Sequence, residues 1–132
     1  MDKYQPYLLP FKEIFEEKLG KTFYEYCIKV GYIEPAPIGY MRGRTFKNCL
    51  VIVDEGQNCT PAQMKLILSR IGDNCKIIVD GDISQKDING TSGLEDASKR
   101  LANIPDIDTI NFFYSDIVRS GICRKIISAY EQ

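Results

Sequence analysis

Cys49-Leu50-Val51-Ile52-Val53-Asp54-Glu55-Gly56-Gln57-Asn58 is the stretch from which the fold is read. The apolar run from Leu50 to Val53, mostly β-branched, leads straight into two acids and a glycine. A short continuous run of this kind predicts a strand buried on both faces, as in a parallel sheet covered by helices. Asp54 and Glu55 then stand at the C-terminal end of the strand, the side on which open α/β sheets bind ligands. Adjacent carboxylates there suit Mg²⁺ held through water and the orientation of an attacking water. The plainer reading is a core strand that ends in an acidic turn.

The residues after the strand favour the first reading. Thr60 fits a helix N-cap, Pro61 the first helical position and Gln63 the capping-box partner. Met64, Ile67, Leu68 and Ile71 make a buried stripe, and Gly72 closes a helix expected over 60–71. Lys76-Ile77-Ile78-Val79-Asp80 is a second buried strand that leaves into Gly81-Asp82-Ile83-Ser84-Gln85. Strand–helix–strand order implies a right-handed crossover between parallel strands, so both strand ends face one way. Asp54, Glu55, Asp82 and Gln85 are therefore expected to converge. An ordinary glycine turn explains Gly81-Asp82 but not this repetition.

Met1 to Pro6 read as a loose start. Tyr7, Phe11, Ile14, Phe15 and Leu19 give an amphipathic helix near 7–19 that ends at Gly20. Thr22 and Glu25 resemble a capping box for a helix near 22–30, closed by Gly31. Gly20-Lys21-Thr22 is not a phosphate-binding loop: the position that needs the earlier glycine is Phe15, and a charged helix stands where a buried strand is required. Tyr32 to Ile38 reads as a short strand near 33–37, restricted to an edge by Pro35 and Pro37. The loop Gly39 to Phe46 carries Arg42 and Arg44 beside Tyr40 and Phe46, which suits phosphates or single-stranded bases, or else a solvated basic turn.

Beyond the second strand, a polar loop ends at Thr91 or Ser92, and Leu94, Ala97 and Leu101 predict a helix near 93–103. Pro105 and Asp106 mark a turn, and 108–113 reads as a last parallel strand. Ser115 or Ser120 caps a helix near 120–131. Arg119 near its start is unfavourable for the helix dipole, which points to an external anion or to an ion pair with Asp116. The alternation makes the chain an α/β domain with a mainly parallel sheet.

At 132 residues the chain is expected to be a single domain, 1–132. Its 44% hydrophobic and 27% charged residues match an ordinary soluble protein, and a net charge of −1 supplies no global basic field for nucleic acid. No run is long enough for a membrane helix and the N-terminus is not a signal peptide, so no membrane partner and a cytoplasmic location are expected. The absence of histidine removes His-based general bases, triads and metal ligands. Five cysteines, with no Cys-x-x-Cys spacing, read as reduced and partly buried thiols.

Several stretches together resemble PhoH-like proteins. They are Ala36 to Thr45, Val53-Asp54-Glu55-Gly56-Gln57-Asn58, Arg70-Ile71-Gly72, Gly81-Asp82-Ile83-Ser84-Gln85, Ser92-Gly93-Leu94 and Asp116-Ile117-Val118-Arg119. Their order and spacing agree along nearly the whole chain, with Gly56 in place of the usual alanine. The resemblance implies a three-layer P-loop ATPase core related to superfamily 1 helicases, using ATP and Mg²⁺. Asp54 would hold Mg²⁺, Glu55 would act on the attacking water, Gln85 would sense the γ-phosphate, and Arg119 would be an arginine finger. Asp82, Arg42 and Arg44 are further candidates for contact with the nucleotide.

The family's phosphate-binding loop and its strand would precede residue 1, leaving the core incomplete. A preceding segment, a partner chain or a homo-oligomer would have to supply them. The family suggests RNA or single-stranded nucleic acid as partner, in RNA metabolism or the phosphate-starvation response. The alternative is a non-enzymatic interaction domain that keeps the fold without nucleotide hydrolysis.

Overall fold

Strands β1 (Cys49–Val53) and β2 (Cys75–Val79) pair parallel and in register, with Cys49 opposite Cys75 and Val53 opposite Val79. The computed structural model describes residues 5–130. Each strand is entered by an asparagine in the left-handed region, Asn48 at φ 52° and Asn74 at φ 51°. Asparagine adopts that conformation more readily than other non-glycine residues. Asn74 Nδ2 donates to Asn48 Oδ1 at 3.1 Å, which ties the two strand entrances together. A parallel bridge between Phe46 and Ile71 stands outside the strands.

Between the strands lies α3 (Pro61–Leu68), whose start follows the sequence reading closely. Thr60 Oγ1 accepts the Gln63 N–H at 3.2 Å, and Gln63 Oε1 accepts the Thr60 N–H at 2.9 Å. The helix stops at Leu68 rather than Ile71, because Gly72 donates its N–H to the Phe46 carbonyl at 2.9 Å instead of continuing the helix. Cys59, Met64 and Ile67 form the buried core, with Ile38, Val53, Leu68, Val79, Leu94 and Ala97 packed on it.

Helices α1 (Gln5–Leu19) and α2 (Lys21–Val30) meet at Gly20, which takes φ 83°. Phe15 of α1 stacks on Tyr24 of α2 at 6.1 Å between ring centroids. The expected capping box at Thr22 is absent: α2 starts at Lys21, before Thr22, and has no side-chain cap. Gln5 and Pro6, expected to be loose, already belong to α1, and the rest of that expected start lies outside the described residues. α4 (Gly93–Arg100) follows Ser92, whose hydroxyl accepts the Glu95 N–H at 3.5 Å. α5 (Gly121–Tyr130) follows Ser120, whose hydroxyl accepts the Cys123 N–H at 3.4 Å. The last residue of that expected helix, 131, lies outside the described residues.

Two expected strands do not form. At 33–37 the prolines withhold ladder donors, and the Glu34 carboxylate is turned to Arg44. At 108–113 no neighbouring strand is present among the described residues; Ile110 and Phe112 are 78% and 83% exposed, and the Phe113 N–H donates to Asp116 at 2.7 Å. Burial on both faces of β1 and β2 is also not found. Val51, Val53, Ile77 and Val79 are half-buried, whereas Leu50, Ile52 and Ile78 on the alternate positions are exposed.

The chain divides into two compact units, the first reaching Ala97 and the second beginning at Ser98. Within the second, Tyr114 hydrogen-bonds the Ser128 hydroxyl and donates to the Arg124 carbonyl at 3.4 Å, while the Arg124 guanidinium donates to the Ile117 carbonyl. Among the described residues no helix is long and apolar enough to cross a membrane.

Met64 is 2% exposed at the centre of the core, so Met64→Ala is expected to cost about 2–5 kcal/mol in urea denaturation. Thr60→Ala, which removes half of the capping box, is expected to cost about 1 kcal/mol. Near-equal costs would show that α3 is held by its cap rather than by its buried face.

Candidate functional site

Parallel pairing delivers Asp54 and Asp80, the residues that follow β1 and β2, to the same end of the sheet. The Asp80 N–H donates to the Val53 carbonyl at 3.0 Å, and the Gly56 N–H donates to the Asp80 carbonyl at 2.8 Å. The backbone ladder thus extends past the strands. A Cβ on Gly56 would meet Val79 Cγ1 at 2.6 Å and the Asp80 carbonyl at 2.9 Å, so glycine permits this close approach. Burial, a hydrogen bond to Asp54 and repulsion by the Asp54 and Glu55 carboxylates push Asp80 above the usual carboxylate range.

Glu55 sits in the left-handed region at φ 55°, where a side chain costs on the order of 1–2 kcal/mol. Its N–H donates to Asp54 Oδ1 at 3.0 Å. Gln57 is 1% exposed and bridges the two strand exits: its Nε2 donates to Glu55 Oε2, and its Oε1 accepts the Asp82 N–H at 3.1 Å. Asp82 in turn accepts the Ser84 N–H at 2.9 Å, the Ser84 hydroxyl at 2.7 Å and Gln85 Nε2 at 2.9 Å. The Ser84 hydroxyl, then Gln85, hold the Asp82 carboxyl below its ordinary range. Gly81 is needed here because a Cβ would run into Gln57 Oε1 and lie 2.9 Å from Leu94 Cδ2.

The structure therefore brings Asp54, Glu55, Asp82 and Gln85 together, and adds Gln57 and Asp80. Gln57 was legible only as part of its motif; nothing in its spacing marks it as a buried connector. Asp80 had a clearer signal, since both apolar runs end in Val-Asp.

The arginines are placed differently. Arg44 donates to both Glu34 oxygens at 2.8 and 3.2 Å and lies 5.9 Å from the Phe46 ring centroid, so its guanidinium is engaged. Arg42 is exposed and makes no ion pair among the described residues. Arg119 belongs to the second unit, is exposed, and makes no ion pair with Asp116 or any other acid among the described residues. Gly20 joins α1 to α2, and Lys21 and Thr22 are the first residues of α2, with helix α1 rather than a buried strand before them.

The raised Asp80 has a testable sign. Folded Asp80 holds its proton more tightly than unfolded Asp80, so its contribution favours folding at low pH and is lost as pH rises through the folded pKa. Asp82 works the other way, losing its contribution as pH falls. Asp80→Asn keeps a donor for Asp54 and removes one charge. Its Tm relative to the parent is expected to be higher at about pH 7 than at about pH 4. A relative Tm that falls on going to pH 7 would show that ionised Asp80 stabilises the fold.

The family model described as PhoH-like protein matches residues 1–131. The chain is 43% identical over 133 aligned residues to Protein PhoH of Escherichia coli (strain K12), covering 98% of this chain and 38% of that protein. It is 43% identical to the PhoH-like protein of Bacillus subtilis (strain 168), covering 99% and 42%, and 39% identical to that of Synechocystis sp., covering 98% and 40%. The chain thus spans well under half the length of these relatives. A match along nearly all its residues, through the motifs that build the carboxylate cluster, establishes that the chain belongs to the PhoH family.

Proposed function

We propose that this chain carries the Walker B half of an ATP-hydrolysing site on a P-loop NTPase core. The observation that carries this reading is the hydrogen-bonded series Glu55–Gln57–Asp82–Gln85 beside Asp54, at the C-terminal end of parallel strands. Ligands of open α/β sheets bind outside that end. The bare positions Leu50, Ile52 and Ile78 are the surface that further layers of a longer protein would cover.

The donor chemistry fits Mg²⁺. Among the described residues no group of three or more ligating side chains converges, and Mg²⁺ takes one or two carboxylates plus substrate phosphates rather than a dedicated cage. Asp54 would hold it, and Asp80, already repelled by Asp54, is the second carboxylate at hand. Bound there, the ion would neutralise charge on the phosphates.

Glu55 would orient and deprotonate the attacking water, with its Oε2 fixed by Gln57. Gln85 would report on the γ-phosphate by exchanging its hydrogen bond to Asp82 for one to the nucleotide. Asp82 positions Gln85. Exposed Arg42, beside Tyr40, would contact the phosphates of RNA or single-stranded nucleic acid, with Arg44 shaping the loop through Glu34.

No Gly-x-x-x-x-Gly-Lys-Ser/Thr sequence occurs in the 132 residues. Such a loop, from a longer chain, a partner or another subunit, supplies most phosphate donors. The 132-residue chain is therefore expected to bind Mg-ATP no more tightly than about millimolar, roughly −4 kcal/mol, and not to hydrolyse it. With the loop present, turnover is expected and should fall at least about 100-fold in Glu55→Gln. Calorimetry and phosphate release test both. Full activity in Glu55→Gln would overturn the role of Glu55, and micromolar binding by the 132-residue chain would overturn the role given to the loop.

A further inference from the structure

We propose that Cys49 and Cys75 are a reversible dithiol that closes to an intramolecular disulfide in the presence of a small disulfide such as oxidised glutathione. The pair lies at the N-terminal end of the sheet, opposite the end that carries Asp54 and Asp80. Cys49 and Cys75 are direct partners in the parallel ladder, and their Sγ atoms stand 3.9 Å apart. Neighbouring strands run about 4.8 Å apart, inside the Cα separation of roughly 4.4–6.8 Å that a disulfide spans. Closure to an S–S bond of about 2.05 Å asks for side-chain rotation rather than backbone travel.

The surroundings favour this pair over the other cysteines. The Asn74–Asn48 hydrogen bond sits immediately before both thiols and holds the strand entrances in register. The thiols line an open groove with Asn48, Leu50, Asn74 and Lys76, so a small disulfide reaches them. Cys27 and Cys59 are buried, and Cys123 belongs to the second unit.

The chemistry balances without a further reagent. One thiol loses its proton and the thiolate attacks a sulfur of the small disulfide, forming a mixed disulfide and expelling one thiolate. The second thiol loses its proton and attacks the protein sulfur of that mixed disulfide. The internal S–S bond forms, the mixed bond breaks, and a second small thiolate leaves. Two protein thiols are oxidised, one small disulfide is reduced to two thiols, and the protons end on the leaving groups. An exposed disulfide between adjacent strands belongs to the reducible class, so a dithiol reductant reverses the step.

The test is oxidised glutathione added to the purified protein, followed by quenching and peptide mapping without reduction. The expected result is loss of two of the five free thiols, a linked peptide pair containing Cys49 and Cys75, and recovery of both thiols with dithiothreitol. In Cys75→Ser, Cys49 is expected as a glutathione adduct or free thiol, never in an internal link. Recovery of Cys49 and Cys75 in the parent protein as separate glutathione adducts, as unmodified thiols, or linked to other cysteines would overturn the proposal.

Discussion

The in-register parallel pairing of β1 with β2 is the constraint on which the rest depends. Side chains alternate faces with a period of two, so a slip of one residue would move every apolar side chain to the wrong face. It would also part Asp54 from Asp80 and Cys49 from Cys75, because each pair exists only as ladder neighbours. The register is pinned at both ends. Asn48 and Asn74 bond at the entrance, and the Gly56 N–H bonds to the Asp80 carbonyl at the exit. The core of Cys59, Met64 and Ile67 presses on one face only, so these end contacts carry weight that a second covered face would otherwise share.

Charge at the strand exits is distributed unevenly. Asp82 is surrounded by donors from Ser84 and Gln85, which favour its ionised form. Glu55 has the Gln57 amide. Asp80 faces chiefly Asp54, and its shift runs upward. Negative charge is therefore well compensated on the Asp82 side and less so on the Asp54–Asp80 side, where the Glu55 N–H is the donor. On the proposed reading, that less compensated side is where a divalent cation gains most.

Much of this was legible in the residues. Thr60, Pro61 and Gln63 state a helix start in purely local chemistry, and the structure has it atom for atom. The Val- and Ile-rich runs gave the parallel pair, and parallel pairing alone brings Asp54 and Gln85 to one end. The failures have a common cause. A strand at 33–37 or 108–113 depends on a neighbour that local pattern cannot supply, and burial on both faces depends on a second layer. Gln57 escaped notice because a buried amide is recognised by its partners, which come from both sides of a crossover. The Thr22 capping box failed for a smaller reason: a glycine at positive φ let α2 begin one residue sooner.

On the proposed reading, the pattern in which Glu55, Gln57, Asp82 and Gln85 engage one another matters. Gln57 holds Glu55 through Oε2, while Oε1 makes no hydrogen bond among the described residues. A general base needs this arrangement, with one oxygen fixing orientation and the other open to a proton. Gln85 is tied through its amide nitrogen to Asp82 Oδ2, a contact that a γ-phosphate oxygen could replace at low cost, since Asp82 is exposed, water can take over Oδ2 and Ser84 still donates twice to Oδ1. The switch then costs little more than one exposed hydrogen bond, on the order of 1 kcal/mol. Buried Gln57, by contrast, has no such alternative. It is the fixed point about which Glu55 on one side and the Asp82–Gln85 turn on the other are set, and the left-handed backbone at Glu55 is the strain accepted to reach it.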